Sequence, residues 1–89
     1  MIERKATIVN KLGLHLRAAA VLVQTASAFK SDIRIRNKNI EVDAKSIMGV
    51  LGLEAAMGTE ITIKAKGPDE EAAVSAVVAL IEAKFNEGE

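Results

Sequence analysis

Three stretches of this chain alternate apolar and polar residues with the two-residue period of a β-strand. Such a strand has one apolar face, and that face has to be covered by another element. The first stretch is IERKATIVN, with Ile2, Arg4, Ala6 and Ile8 in alternate positions. In the second, DIRIRNKNIEVD, Ile33 and Ile35 alternate with Arg34 and Arg36, the chain turns over Asn37 to Asn39, and Ile40 and Val42 return. That pattern predicts a hairpin. The third is EITIKAK, with Ile61, Ile63 and Ala65. Elsewhere the spacing changes to three and four. Leu16 to Phe29 predicts a helix whose apolar face combines Leu16, Ala19, Val23 and Ala26 with Leu22 and Phe29. The stretch GPDEEAAVSAVVALIEAKF predicts a second helix. Asp69 would cap it, Glu70 and Glu71 would suit its positive end, and Val74, Val77, Ile81 and Phe85 would be buried. SIMGVLGL, interrupted by Gly49 and Gly52, predicts a brief helix, and AAMG a loop. The order β-α-β-β-α-β-α, with strands in one layer and helices in the other, is an α+β two-layer sandwich.

At 89 residues the chain suits one domain, spanning 1–89, and can build a core without staples. It has no cysteine, which excludes disulfides, thiolate zinc sites and thiol catalysis and agrees with a cytoplasmic location. No apolar run approaches the ~18 residues of a membrane span, and MIERKATIVN lacks the apolar core of a signal peptide. Net charge is zero but unevenly spread. Met1 to Val50 carry nine Lys/Arg against four Asp/Glu, and Leu51 to Glu89 carry three against eight. A basic surface from the first half is expected. With Phe29 and Phe85 as the only aromatics, single-stranded nucleic acid is a poor partner, because its readers use stacking rings. A phosphate or an acidic protein surface fits better.

Few groups could carry chemistry. No carboxylate pair stands in an apolar setting, no set of metal ligands is present, and GVLGLEAAMG lacks the pattern of a phosphate loop. What stands out is NKLGLHLRAAAVLV, which holds the only histidine, His15, with Arg17 two residues on. If the helix starts at Leu16, its first N–H groups have no acceptor within the helix and face back toward His15. An anion on the imidazole would meet those donors and the positive helix end. Arg17 adds a permanent charge and a planar fork suited to phosphate. The same field disfavours imidazolium and favours a neutral, nucleophilic ring. These parts suit a histidine that accepts a phosphoryl group, holds it and passes it on.

GLHLRAAA resembles the Gly-x-His-x-Arg-Pro-Ala signature of the HPr family, the histidine phosphocarriers of the bacterial phosphoenolpyruvate-dependent phosphotransferase system. Length, element order and a second landmark, AKSIMGVLGL, match as well. The resemblance implies an open-faced sandwich, a four-stranded antiparallel sheet covered by helices. It implies a carrier and not an enzyme: His15 takes phosphate on Nδ1 from enzyme I and gives it to IIA components of sugar permeases, and Arg17 stabilises the phosphate. No cofactor, metal, nucleic acid or membrane insertion is implied, and the carrier is expected to be a monomer. Ala18 stands where the family usually has proline.

Ser46 precedes the brief apolar segment, a common place for an N-cap. The resemblance adds a second role, phosphorylation by HPr kinase/phosphorylase. Ile47, Met48 and Leu51, beside Ser46, would join Leu16, Ala20, Gln24 and Ser27 on the first helix to form a shallow partner-binding face rimmed by basic groups. Two other readings remain open: a nitrogen-regulatory paralogue with the same histidine chemistry, and an α+β binding module with an incidental histidine.

Overall fold

In a computed structural model, residues 1–87 are described. Seven elements follow the expected order: β1 (Ile2–Thr7), α1 (Leu16–Ser27), β2 (Asp32–Asn37), β3 (Ile40–Asp43), α2 (Ile47–Gly52), β4 (Glu60–Lys66) and α3 (Glu70–Glu82). One 3-10 turn, Lys84–Asn86, comes after α3. The strands form one antiparallel sheet in the order β1-β4-β2-β3. Register explains the layering. Ala6 pairs with Ile61, and Ile63 with Ile35, so one face of the sheet is aliphatic except at its β1 edge, where Arg4 pairs with Ile63 and donates to Ser75 Oγ of α3 at 3.3 Å. The aliphatic side chains are buried with Leu22 of α1 and with Val74, Val77 and Ile81 of α3. The opposite face is polar: Glu3, Lys64, Arg34 and Asp43 lie in one cross-strand row, and Lys64 Nζ reaches Glu41 at 2.9 Å. The fold is thus an α+β open-faced sandwich with four strands and helices on one side.

Several local expectations are corrected. α1 ends at Ser27, so Phe29 lies beyond it, half-buried. Its buried face is Ala18, Ala19, Leu22 and Ala26, whereas Leu16 is 64 % exposed. Leu16 is in the first turn, which overhangs the surface. α3 stops at Glu82, yet Phe85 is buried as its spacing demands. The turn achieves this: Lys84, Phe85 and Asn86 all adopt left-handed backbone, with φ of 59°, 54° and 62°. The hairpin loop is only Lys38 and Asn39, since Asn37 pairs with Ile40.

Asp69 stands at the N-cap position of α3 but its side chain makes no capping bond. Its carboxylate instead accepts from Ser31 Oγ and from the N–H groups of Lys30 and Ser31, fastening the start of α3 to the α1–β2 connection. The Ser31 hydroxyl and the Lys30 amide hold the Asp69 carboxyl below its ordinary range. The Gly67 amide and the Met1 ammonium do the same for Glu70. A carboxyl with a lowered folded-state pKa adds stability above its unfolded value, about 4, and loses it as pH falls through the folded value. Chemical denaturation at pH 7 and pH 3 checks the consequence. Asp69→Asn should be less stable than wild type at pH 7, and the gap should narrow at pH 3; an equal gap would remove Asp69 from acid sensitivity.

Candidate functional site

The loop from β1 to α1 is held against the connection between α2 and β4. Leu14 N–H donates to the Ala55 carbonyl at 2.9 Å, and Asn10 Nδ2 donates to the Gly13 carbonyl at 2.8 Å. Gly13 has φ +66°, and a Cβ there would sit 2.6 Å from the Ala55 oxygen. Only glycine allows both the left-handed turn and this approach. The loop ends in His15, the N-cap residue of α1, in extended conformation. The first helical bond runs from Ala19 N–H to the His15 carbonyl, so the N–H groups of Leu16, Arg17 and Ala18 have no acceptor within the helix. Ala18 is buried and, unlike proline, supplies the third of these donors.

His15 and Arg17 line one open cleft of about 560 Å³ with Lys11, Leu12, Phe85, Asn86 and Glu87. Among the described residues no carboxylate lies within salt-bridge distance of Arg17 or Lys11, and both cations line the cleft that Glu87 also lines. His15 Nε2 is hydrogen-bonded to Glu87 Oε2. A carboxylate can only accept, so Nε2 carries a proton, and in the neutral ring Nδ1 is the nitrogen that keeps its lone pair. The His15 side chain remains 28 % exposed, open to a large donor, while Glu87 is 13 % exposed. Glu87 Oε1 accepts from Asn10 Nδ2 at 3.0 Å. Neither Glu87 nor Asn10 is among the sequence-predicted site residues.

Ser46 is the N-cap of α2, and its Oγ accepts from Gly49 N–H at 3.1 Å. α2 packs against α1. Leu16, Gln24, Ser27 and Met48 are exposed, and Ala20, Ile47 and Leu51 are half-buried. Lys45 lies at the border, its Nζ donating to the Phe29 carbonyl at 2.8 Å. Among the described residues no group of three or more His, Cys, Asp or Glu could hold a metal ion. No helix among the described residues is long and apolar enough to cross a membrane.

An open-faced sandwich with a histidine at the N-terminus of a helix fits one class of protein, the phosphoryl carriers. Residues 2–83 match the family model described as "PTS HPr component phosphorylation site". The chain is 49 % identical to the phosphocarrier protein HPr of Cupriavidus necator over the full length of both chains. It is 48 % identical to the phosphocarrier protein NPr of Shewanella violacea, over 97 % of this chain and 94 % of that one. The crystal structure of HPr-C-His from Thermoanaerobacter tengcongensis superposes with a TM-score of 0.94 at 49 % identity, covering 98 % of each chain. The chain belongs to the HPr family: it is a phosphocarrier protein of the phosphotransferase system, not an enzyme.

Proposed function

We propose that His15 accepts a phosphoryl group on Nδ1 from enzyme I and passes it to IIA components of sugar permeases. The observation that carries this reading is an Nδ1 with no hydrogen-bond partner among the described residues, next to helix N–H groups with no acceptor within the helix. Nε2 is occupied by Glu87, and the first three N–H groups of α1 follow His15 directly. Arg17 shares the cleft and is free to bind phosphate oxygens bidentately. Labelling from phosphoenolpyruvate through enzyme I tests it, with His15→Ala as the control. A carrier of this kind needs its face free for successive partners, which favours a monomer in the cytoplasm. The similarity to an NPr favours a second reading, a regulatory branch with the same chemistry. Offering the phosphorylated carrier purified IIA components of each branch separates the two by which one is labelled.

Ser46 is the regulatory site in this reading, a substrate for HPr kinase/phosphorylase. Its hydroxyl is half-buried beside Ile47, Met48 and Leu51, the residues assigned to docking with Leu16, Ala20, Gln24 and Ser27. Charge placed there would have to be desolvated beneath an apolar partner surface. It would also repel acidic groups that Arg17 and Lys45 attract. Ser46→Asp is the accessible mimic, and Asp is as good an N-cap as Ser. The variant should melt at or slightly above the wild-type temperature and show a KM for phosphorylation by enzyme I raised about tenfold, or ~1.4 kcal/mol. An early melt would favour a packing role for Ser46, and an unchanged KM would remove it from the docking face.

A further inference from the structure

Glu87 reaches His15 at some expense to the backbone. Lys84, Phe85 and Asn86 are three consecutive non-glycine residues with positive φ. L-residues disfavour that region, and such strain persists where the surrounding structure enforces it. Burial of Phe85 anchors the turn, and the next residue arrives at the imidazole. A second unfavourable feature meets it there. Asn10 is completely buried, and its Nδ2 faces two acceptors, the Gly13 carbonyl and Glu87 Oε1. That fixes the amide orientation and leaves Asn10 Oδ1 buried without a partner among the described residues. Both features serve one arrangement, Asn10 holding Glu87 and Glu87 holding His15 Nε2.

We infer that Glu87, oriented by Asn10, is a positioning residue for His15: it fixes the proton on Nε2 and balances the positive charge the ring gains on phosphorylation. The inference rests on the phosphocarrier reading above. In the transfer step the Nδ1 lone pair forms the N–P bond. The bond from phosphorus to its donor breaks, and its electron pair leaves with the donor. The ring keeps its proton on Nε2 and becomes positively charged beside the Glu87 carboxylate. Onward transfer reverses this, returning the electron pair to Nδ1 and the ring to neutrality. A carboxylate that meets a neutral ring before transfer and a cation during it favours the transition state over the free carrier. Asn10 acts one step further back, through the carboxylate it orients.

The test compares wild type, Glu87→Ala, Glu87→Asp and Asn10→Ala as full chains. Phosphorylation by enzyme I and phosphoenolpyruvate is followed together with the His15 ring ¹H–¹⁵N spectrum. Wild type should show a resolved Nε2–H cross-peak, because the bond to Glu87 slows exchange of that proton. Glu87→Ala should lose the cross-peak and lower kcat about tenfold at an unchanged KM, the loss of one charge-assisted hydrogen bond. Glu87→Asp should recover part of both. Asn10→Ala should lower kcat less, with a weakened cross-peak; because its loop could loosen, its melting curve is read alongside, and Glu87→Ala decides the matter by itself. Wild-type protein that takes no label would overturn the carrier reading and this inference with it. Labelled wild type together with an unchanged kcat in Glu87→Ala would overturn this inference alone.

Discussion

His15→Ala takes up no acid-labile phosphate when incubated with phosphoenolpyruvate and enzyme I, while wild type does; this is the expected result with the largest effect. His15 is the only histidine in the chain, so no second imidazole can substitute. Phosphate on an imidazole nitrogen is lost in acid and kept in base, the reverse of a phosphoserine, so treating the labelled protein with each separates His15 from Ser46. The fold should survive the change. The His15 ring is half-exposed, and among the described residues its one side-chain bond is to Glu87, at the surface end of α1. The backbone bond from Ala19 N–H to the residue 15 carbonyl is independent of side chain. A melting temperature close to wild type would therefore accompany complete loss of labelling. Equal labelling of the two proteins would end the carrier hypothesis, whatever the fold similarity.

The second large effect is on stability, and it comes from a residue with no side chain. Gly13→Ala should destabilise the protein by about 2–5 kcal/mol. Placing an L-residue in left-handed backbone costs roughly 1–2 kcal/mol. Overpacking adds roughly 1–3 more. The neighbours a Cβ would strike are the Ala55 oxygen at 2.6 Å and the Ala56 Cα at 2.9 Å, backbone atoms that cannot rotate away. The Ala55 oxygen is also committed to Leu14 N–H, so retreat would break that bond. For a domain of this size the melting temperature should fall by roughly 10–30 °C. Phosphorylation measured well below the melt should slow as well, since the displaced segment runs straight into His15. A variant that melts like wild type would show that the loop can lift away from Ala55 freely.

Strongly periodic segments were legible from the chain alone. Ile33, Ile35, Ile61 and Ile63 are buried on one face, and Val74, Val77, Ile81 and Phe85 are all in the core. Period alone could not locate the ends. Phe85 follows the helical spacing and would extend α3, but it reaches the core through a left-handed turn. Leu16 fits the apolar spacing of α1, but the first turn of the helix has nothing above it to bury a side chain. Asp69 has the right type and place for a cap, yet a long-range partner, Ser31, takes its carboxylate. At the candidate site, the placement of His15 and Arg17 at the start of α1, and of Ser46 as the cap of α2, could be read from residue type and position within a few residues of sequence. Asn10 and Glu87 could not. Glu87 meets His15 across 72 positions, and no local pattern encodes a contact made by a terminal turn folding back.

The strand order β1-β4-β2-β3 sets a timetable on the ribosome. β1 is synthesised first, but its sheet partner is β4, so Ile2–Thr7 must wait until Glu60–Lys66 has been made. At about 5–20 residues per second that interval is roughly 3–10 s, long against the microseconds of local hairpin formation. The β2–β3 hairpin can close meanwhile, whereas β1 remains an unpaired strand with Ile2 and Ala6, and Ile8 just beyond it, uncovered. Unpaired apolar strands invite pairing with neighbouring chains, and interleaved charge is a standard deterrent. Glu3, Arg4 and Lys5 occupy consecutive positions in that strand. Their charges suit that deterrent role for the seconds before β4 is available.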